Sequence, residues 1–243
     1  QNGVARFARV WSVVSASLLL ATAGWSQSLT WLGTLPGGTW SVAYGVSADG
    51  SVVVGGATNA DNQTRAFRWT QATGMQDLGT LGGRESVAHA VSADGSVVVG
   101  VAENAAGRRR PFRWTRVTGM VDIGTLPGDP CAEVWDISDD GSVIVGTSLP
   151  DCNLYYAKAV RWVVGGTVEY LGTLGLNSRS YGVSPEGSVV VGASVATGVW
   201  VAMPFRWTRG TGMQQIGRYR GEFWDASVNG SVLVGWANYN NGP

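Results

Sequence analysis

Four carboxylates sit where a sequence could do acid–base chemistry. Glu133 and Asp136 fall in the segment EVWDIS, and Glu222 and Asp225 in the segment EFWDAS, each pair three residues apart with an aromatic between them. Two carboxylates flanking a glycosidic bond can act as acid and base, or as acid and nucleophile. The same four residues also suit ion pairs or a solvated rim, and their separation across the fold is not readable from sequence. A second set is aromatic: Tyr44, His89, Trp135, Tyr181 and Trp224 occupy one recurring strand position. Such side chains stack against sugar rings or fill space between sheets. His89 stands where the others are aromatic and reads as a packing variant rather than a base.

A third set is cationic. Arg68, Arg113, Arg161 and Arg206 each lie in an aromatic strand beside Trp69, Trp114, Trp162 and Trp207. Asp77, Asp122, Glu169 and Gln215 stand in the strand that follows. A hairpin centred on the intervening turn places Arg68 opposite Asp77 and Arg113 opposite Asp122, as a register-fixing ion pair. The alternative is an anion site repeated around an outer rim. The fourth set, Asp49, Asp94, Asp140, Glu186 and Asn229, precedes a turn glycine each time, where Asp is favoured for binding backbone amides. Calcium needs six to eight converging oxygens, which single carboxylates on separate repeats do not supply. The lone His89 and the absence of C-x-x-C leave no zinc set, and no nucleophile elbow, phosphate loop or H-E-x-x-H occurs. No metal and no cofactor is expected.

These residues are carried by a repeat. VSADGSVVVG at 46–55 returns at 91–100, and as ISDDGSVIVG, VSPEGSVVVG and ASVNGSVLVG at 137–146, 183–192 and 226–235. The turn glycines Gly50, Gly95, Gly141, Gly187 and Gly230 are therefore 45, 46, 46 and 43 residues apart. A period in this range signals a propeller or solenoid. One copy reads as four strands: SVAHAVS (86–92), the apolar SVVVGVA (96–102), PFRWT (111–115) and MVDIG (120–124). A strand apolar on both faces is buried on both faces. The prediction is an all-β propeller of four-stranded antiparallel blades at about 40–80, 86–125, 132–173 and 179–217, with a partial fifth at 222–243, the repeat domain covering 28–243. Leu29–Gly33 matches a fourth strand without a blade. The sequence starts without Met and ends in a loop like those before the FRWT strands, so a fragment is expected, either of a five-blade ring or of an open arc of a larger one.

Hydrophobic residues make up 44% and charged residues 14% of the 243 residues, with formal net charge zero. That suits a folded core and gives no bulk attraction to nucleic acid or anionic membrane. Arg108, Arg109, Arg110, Arg113 and Arg116 form one basic cluster without an interleaved aromatic platform, and read as a solvated loop. At the N-terminus Arg6 and Arg9 precede an apolar run, Val10–Ala23, that ends in Ala21-Thr22-Ala23. This is the pattern of a secretory signal peptide over 1–23, and the run is too short to span a bilayer comfortably. Export implies oxidising conditions, so Cys131 and Cys152, which flank the third hairpin, are expected to form a disulfide.

The linker LGTLGG at Leu78–Gly83, the turn SADGSVVVG at Ser47–Gly55 and the strand AFRWT at Ala66–Thr70 resemble the extracellular repeat family called HAF. The resemblance covers about residues 29–237 and implies an exported, propeller-like bacterial protein with no settled activity and no catalytic residue to transfer. The third copy departs, with Val160 in place of Phe and a shorter turn at Gly165-Gly166, and the fifth stops before its aromatic strand. The expected function is a secreted or cell-surface binding or structural module, not an enzyme, with a glycan, matrix polymer or protein as ligand and no nucleic acid. The alternatives are a propeller glycoside hydrolase or lyase using the inner-strand carboxylates, and the ectodomain or passenger of a larger anchored protein.

Overall fold

The computed structural model describes residues 29–198 and 201–238. The expected signal peptide lies outside the described residues. The chain divides into Gln1–Trp31 and Leu32–Pro243, and every strand belongs to the second unit. The first sheet holds β1 (Ser41–Val46), β2 (Val52–Thr58), β3 (Thr64–Thr70) and β4 (Gly74–Asp77). The second holds β5 (Gly82–Val91), β6 (Val97–Asn104), β7 (Arg109–Thr115) and β8 (Gly119–Asp122). β9 (Cys131–Ile137), β10 (Val143–Leu149), β11 (Lys158–Val163) and β12 (Val168–Tyr170) make the third, and β13 (Gly175–Val183), β14 (Val189–Ala196), β15 (Ala202–Thr208) and β16 (Gly212–Gln215) the fourth. The fifth has β17 (Gly221–Ala226) and β18 (Leu233–Ala237). Each sheet runs in chain order with antiparallel neighbours. No helix is present among the described residues.

The sheets pack face to face in chain order, as propeller blades do. The GSVVVG strand is the reason. Val97 and Val99 pack against Val134 and Ile144 of the third sheet, while Val98 between them faces Val52 and Val54 of the first. Successive side chains of a strand alternate between its faces, so three valines serve two interfaces. Val143 and Val145 repeat the pattern against Val190 and Phe205. Among the described residues no broad contact joins the first sheet to the fifth. On the fifth sheet Val232 and Val234 are 58% and 53% exposed, although their counterparts Val52 and Val54 are buried.

The turns knit the sheets together. Ser47 Oγ donates to Asp49 Oδ1 at 2.7 Å, the Ser51 amide donates to the same oxygen at 2.9 Å, and the Val52 amide donates to Ser47 Oγ. Asp94 and Asp140 repeat this geometry. The hydroxyl and amide donors hold Asp49 down to about 2, as expected when bonds favour the charged form. The turn residues are thus occupied in building the turn. Between sheets, the Ala48 amide donates to Ala93 O, the Ala93 amide to Asp139 O, and the Asp139 amide to Pro185 O, at 2.9–3.0 Å.

Two expectations need correction. Residues 29–33 form no strand; a fourth strand needs a third to pair with, and the fifth sheet has only β17 and β18 among the described residues. The third hairpin strands are also paired one residue away from the expected register. Arg68 lies opposite Gln76 and Phe67 opposite Asp77, and Arg113 lies opposite Val121. The turn closes with Thr70 opposite Gly74 and the Thr70 and Thr73 hydroxyls bonded at 2.7 Å, which shifts the centre by half a residue. Asp77 instead accepts from the Gly79 amide at 2.7 Å, and Asp122 pairs with Arg110 at 2.8 Å. Among the described residues the arginine meets an acid directly opposite in the third sheet, where the pairing has the same spacing but Glu169 takes the position held by Gln76 and Val121.

Candidate functional site

The first strands β1, β5, β9, β13 and β17 all carry a bulge, and it falls at one place. On β1 the pairing passes from Ala43–Gly55 to Gly45–Val54, leaving Tyr44 as the extra residue. His89, Trp135, Tyr181 and Trp224 are the extra residues of the other four. A bulge re-aims a side chain, and here it re-aims the same side chain five times. The glycine ending each VSADGSVVVG copy makes it possible. A Cβ on Gly55, Gly100, Gly146, Gly192 or Gly235 would run into the carbonyl of Val42, Val87, Glu133, Arg179 or Glu222. A glycine in an otherwise β-branched strand is a sign of such close approach.

The result is a row of rings. Tyr44 meets His89 edge-on at 5.8 Å between centroids, His89 stacks on Trp135 at 5.3 Å with planes 5° apart, and Trp135 meets Tyr181 at 6.2 Å. Tyr44 and Trp224 remain 55% and 54% exposed, and Trp135 37%. The row therefore packs against itself and still shows apolar surface to solvent. His89 is fixed in it. Its Nδ1 lies 2.5 Å from Val134 O, and a carbonyl only accepts, so Nδ1 carries the proton. Burial pushes its pKa down, keeping the ring neutral.

The carboxylates border this row unequally. Asp136 Oδ2 accepts from the Val183 amide of the next sheet at 2.9 Å, and Oδ1 from the Ile137 amide at 2.8 Å. Burial pushes it up to about 6, against the two amides and with help from the charges of Asp225 and Asp139. The charge of Asp225 therefore reaches Asp136 although a whole sheet intervenes. The intervening strand has Gly182 at the corresponding position, where a Cβ would meet Trp224 O and Asp225 Cα. Asp225 itself accepts from the Ala226 amide at 2.7 Å. Glu133 is buried and pairs with Arg109 at 3.3 Å; burial raises its pKa against that pairing. Glu222 acts on Tyr181, whose hydroxyl is pushed up by burial first and by Glu222 second. The structure thus brings Asp136 and Asp225 into one neighbourhood and leaves Glu133 in an ion pair. Among the described residues no three His, Cys, Asp or Glu converge as metal ligands.

Cys131 and Cys152 are joined in a disulfide with Cα atoms 5.1 Å apart. The bridge closes the third hairpin at its open end, where Cys131, Leu149 and Ala157 form a small core of their own. It anchors the start of β9, two residues ahead of Glu133 and four ahead of Trp135.

Two solved structures share this fold. TolB from Acinetobacter baumannii superposes with a TM-score of 0.50 at 17% identity, over 68% of this chain and 39% of that one. A protein assigned as TolB from Agrobacterium tumefaciens superposes with a TM-score of 0.59 at 15% identity, over 84% of this chain and 73% of that one. The chain spans well under half the length of the first. At these identities the likeness is one of fold, propeller-like sheets stacked in series. No family model matches the sequence, and no curated protein sequence matches it.

Proposed function

We propose that this chain is an exported β-propeller repeat module of the HAF type that binds an extracellular glycan along its aromatic row. One observation carries the reading: five bulges give Tyr44, His89, Trp135, Tyr181 and Trp224 the same place on their strands, the first four rings meet in series, and Tyr44, Trp135 and Trp224 are exposed. Aromatic faces with a polar border suit ligands that are apolar on one side and hydroxylated on the other. Secretion is supported by the Arg6, Arg9 and Val10–Ala23 pattern and by the disulfide, which persists in oxidising compartments. A glycan array and polysaccharide pull-down test it. Binding should be lost when Tyr44, Trp135, Tyr181 and Trp224 are all changed to Ala in a variant that keeps its strand circular dichroism. Glycan binding that survives all four changes removes the row from the site. A matrix polymer or protein captured in place of a glycan changes the ligand class.

The Asp136–Asp225 neighbourhood favours a second reading, a glycoside hydrolase or lyase, because a buried carboxyl with a raised pKa near a second carboxylate can serve as the acid of such a pair. Reducing sugar released by the wild type and lost in Asp136→Asn would establish it. The module can equally serve as the ectodomain of a larger anchored protein. Among the described residues no helix is long and apolar enough to cross a membrane.

A further inference from the structure

The third and fourth sheets hold a carboxylate between them. Arg161, 5% exposed, projects from β11, and its Nε donates to Glu169 Oε2 at 2.7 Å. The guanidinium carbon lies 4.3 Å over the ring of Trp207 on β15, and Arg209 at the end of that strand stands 4.0 Å from the same Glu169 oxygen. Two arginines from adjacent sheets and one tryptophan thus surround a carboxylate that the protein itself supplies.

The cleft between the first and second sheets repeats this arrangement without the carboxylate. Arg68 occupies the strand position of Arg161, and Trp114 and Arg116 those of Trp207 and Arg209. The residue opposite Arg68 is the neutral Gln76, where Arg161 has Glu169. Arg68 is 9% exposed. Its Nε and Nη2 reach the Gly95 carbonyl at 3.4 and 3.3 Å, and its Nη1 is buried without a partner. Asp94 lines the same cleft, where its Oδ1 accepts from the Ser92 hydroxyl and the Ser96 amide of its own turn and not from Arg68. The cleft has a volume of about 590 Å³, within the range of small-ligand pockets. We propose that this cleft is a binding site for a small organic carboxylate, held between Arg68 and Arg116 beside Trp114.

An unpaired buried guanidinium is costly, and a carboxylate suits its planar fork. Burial, and then the charge of Arg116, lower the pKa of Arg68, so an anion in the cleft relieves both. The site lies on third strands and is independent of the aromatic row on the first strands.

Titration calorimetry and tryptophan fluorescence of the full chain with sodium acetate and sodium glucuronate test the proposal, with sodium sulfate for comparison. Both carboxylates should bind at one site, and Arg116→Gln should weaken them about tenfold or more, the loss expected for one charge-assisted contact. The deciding variant is Gln76→Glu, at an exposed position. It restores the arrangement around Glu169 from within, so it should abolish acetate binding while raising Tm. Glu169→Gln, checked for folding by circular dichroism, should open a second acetate site. Acetate binding that persists in Gln76→Glu overturns the assignment, as does a folded Glu169→Gln with one site only. Failure of both carboxylates to bind the wild type does so as well. Sulfate bound more tightly than acetate would give the cleft to tetrahedral oxyanions instead.

Discussion

Replacing Asp136 by Asn tests the electrostatics of the aromatic row through folding stability. Asp136 stands at about 6 in the folded chain against an ordinary 3.8. That difference corresponds to roughly 3 kcal/mol between its two protonation states. The sign follows from proton uptake. Between about pH 4 and pH 6 the folded protein binds this proton more tightly than the unfolded chain, so the stability from the group is fullest below pH 4 and is lost as pH rises through 6. Asparagine cannot ionise. It offers one oxygen to the two amides of Val183 and Ile137 that Asp136 now serves, which imposes a fixed loss of about 1–3 kcal/mol for the amide left unpaired. The informative quantity is therefore the change with pH. Urea denaturation at pH 4 and pH 7.5 should show the variant gaining on the wild type by up to about 3 kcal/mol as pH rises. Asp225→Asn removes the charge that reinforces the shift, and should shrink the wild-type slope. A stability difference that stays flat between the two pH values refutes the reasoning, because it would mean that Asp136 is solvated and titrates normally.

Two further outcomes are expected. Gly100→Ala places a methyl against the Val87 carbonyl and should destabilise by about 1–3 kcal/mol through overpacking, with the second sheet shifted most in amide chemical shifts; a variant as stable as the wild type would show that the bulge tolerates a side chain. Reducing the Cys131–Cys152 bridge, which spans 21 residues, should remove about 3 kcal/mol of stability, read as a lower urea midpoint; an unchanged midpoint would mean that β9 is anchored by its packing alone.

The strands were legible because alternation, turn chemistry and repetition agree. Ser47-Ala48-Asp49-Gly50-Ser51 dictates a turn, and the valines after it have no exposed face. The register of the outer hairpin was less legible, because it depends on how the Thr70–Gly74 turn closes, and one residue of difference separates Asp77 from Gln76. The bulges left a signal that strand propensity alone obscures. A glycine ends the β-branched run in every copy, and a strand glycine that recurs at one position marks a bulge or a close backbone approach. The aromatic position was readable as a series, but its alignment into a row needed the bulge. The meeting of Asp136 and Asp225 was not readable, since it depends on Gly182 leaving room between sheets that are not adjacent in sequence. The empty carboxylate position opposite Arg68 becomes visible only when Glu169 is seen filling its counterpart.

The turn-to-turn hydrogen bonds have a mechanical consequence. Three seams are stitched turn to turn by a main-chain amide: Ala48 to Ala93, Ala93 to Asp139, and Asp139 to Pro185. Proline has no N–H, so Pro185 receives the stitch from the third sheet and cannot pass one to the fifth. The fourth seam is also the one with the smallest apolar filling, Val189, Val191 and Ala226 with Phe223 and Leu233 at its margin. Unravelling is therefore directional. Under tension, or in spontaneous opening, β17 and β18 peel away as a unit while the first four sheets remain fastened. Amides of β17 and β18 should trade their protons with solvent sooner than those of β6 and β10, which lie between two stitched seams.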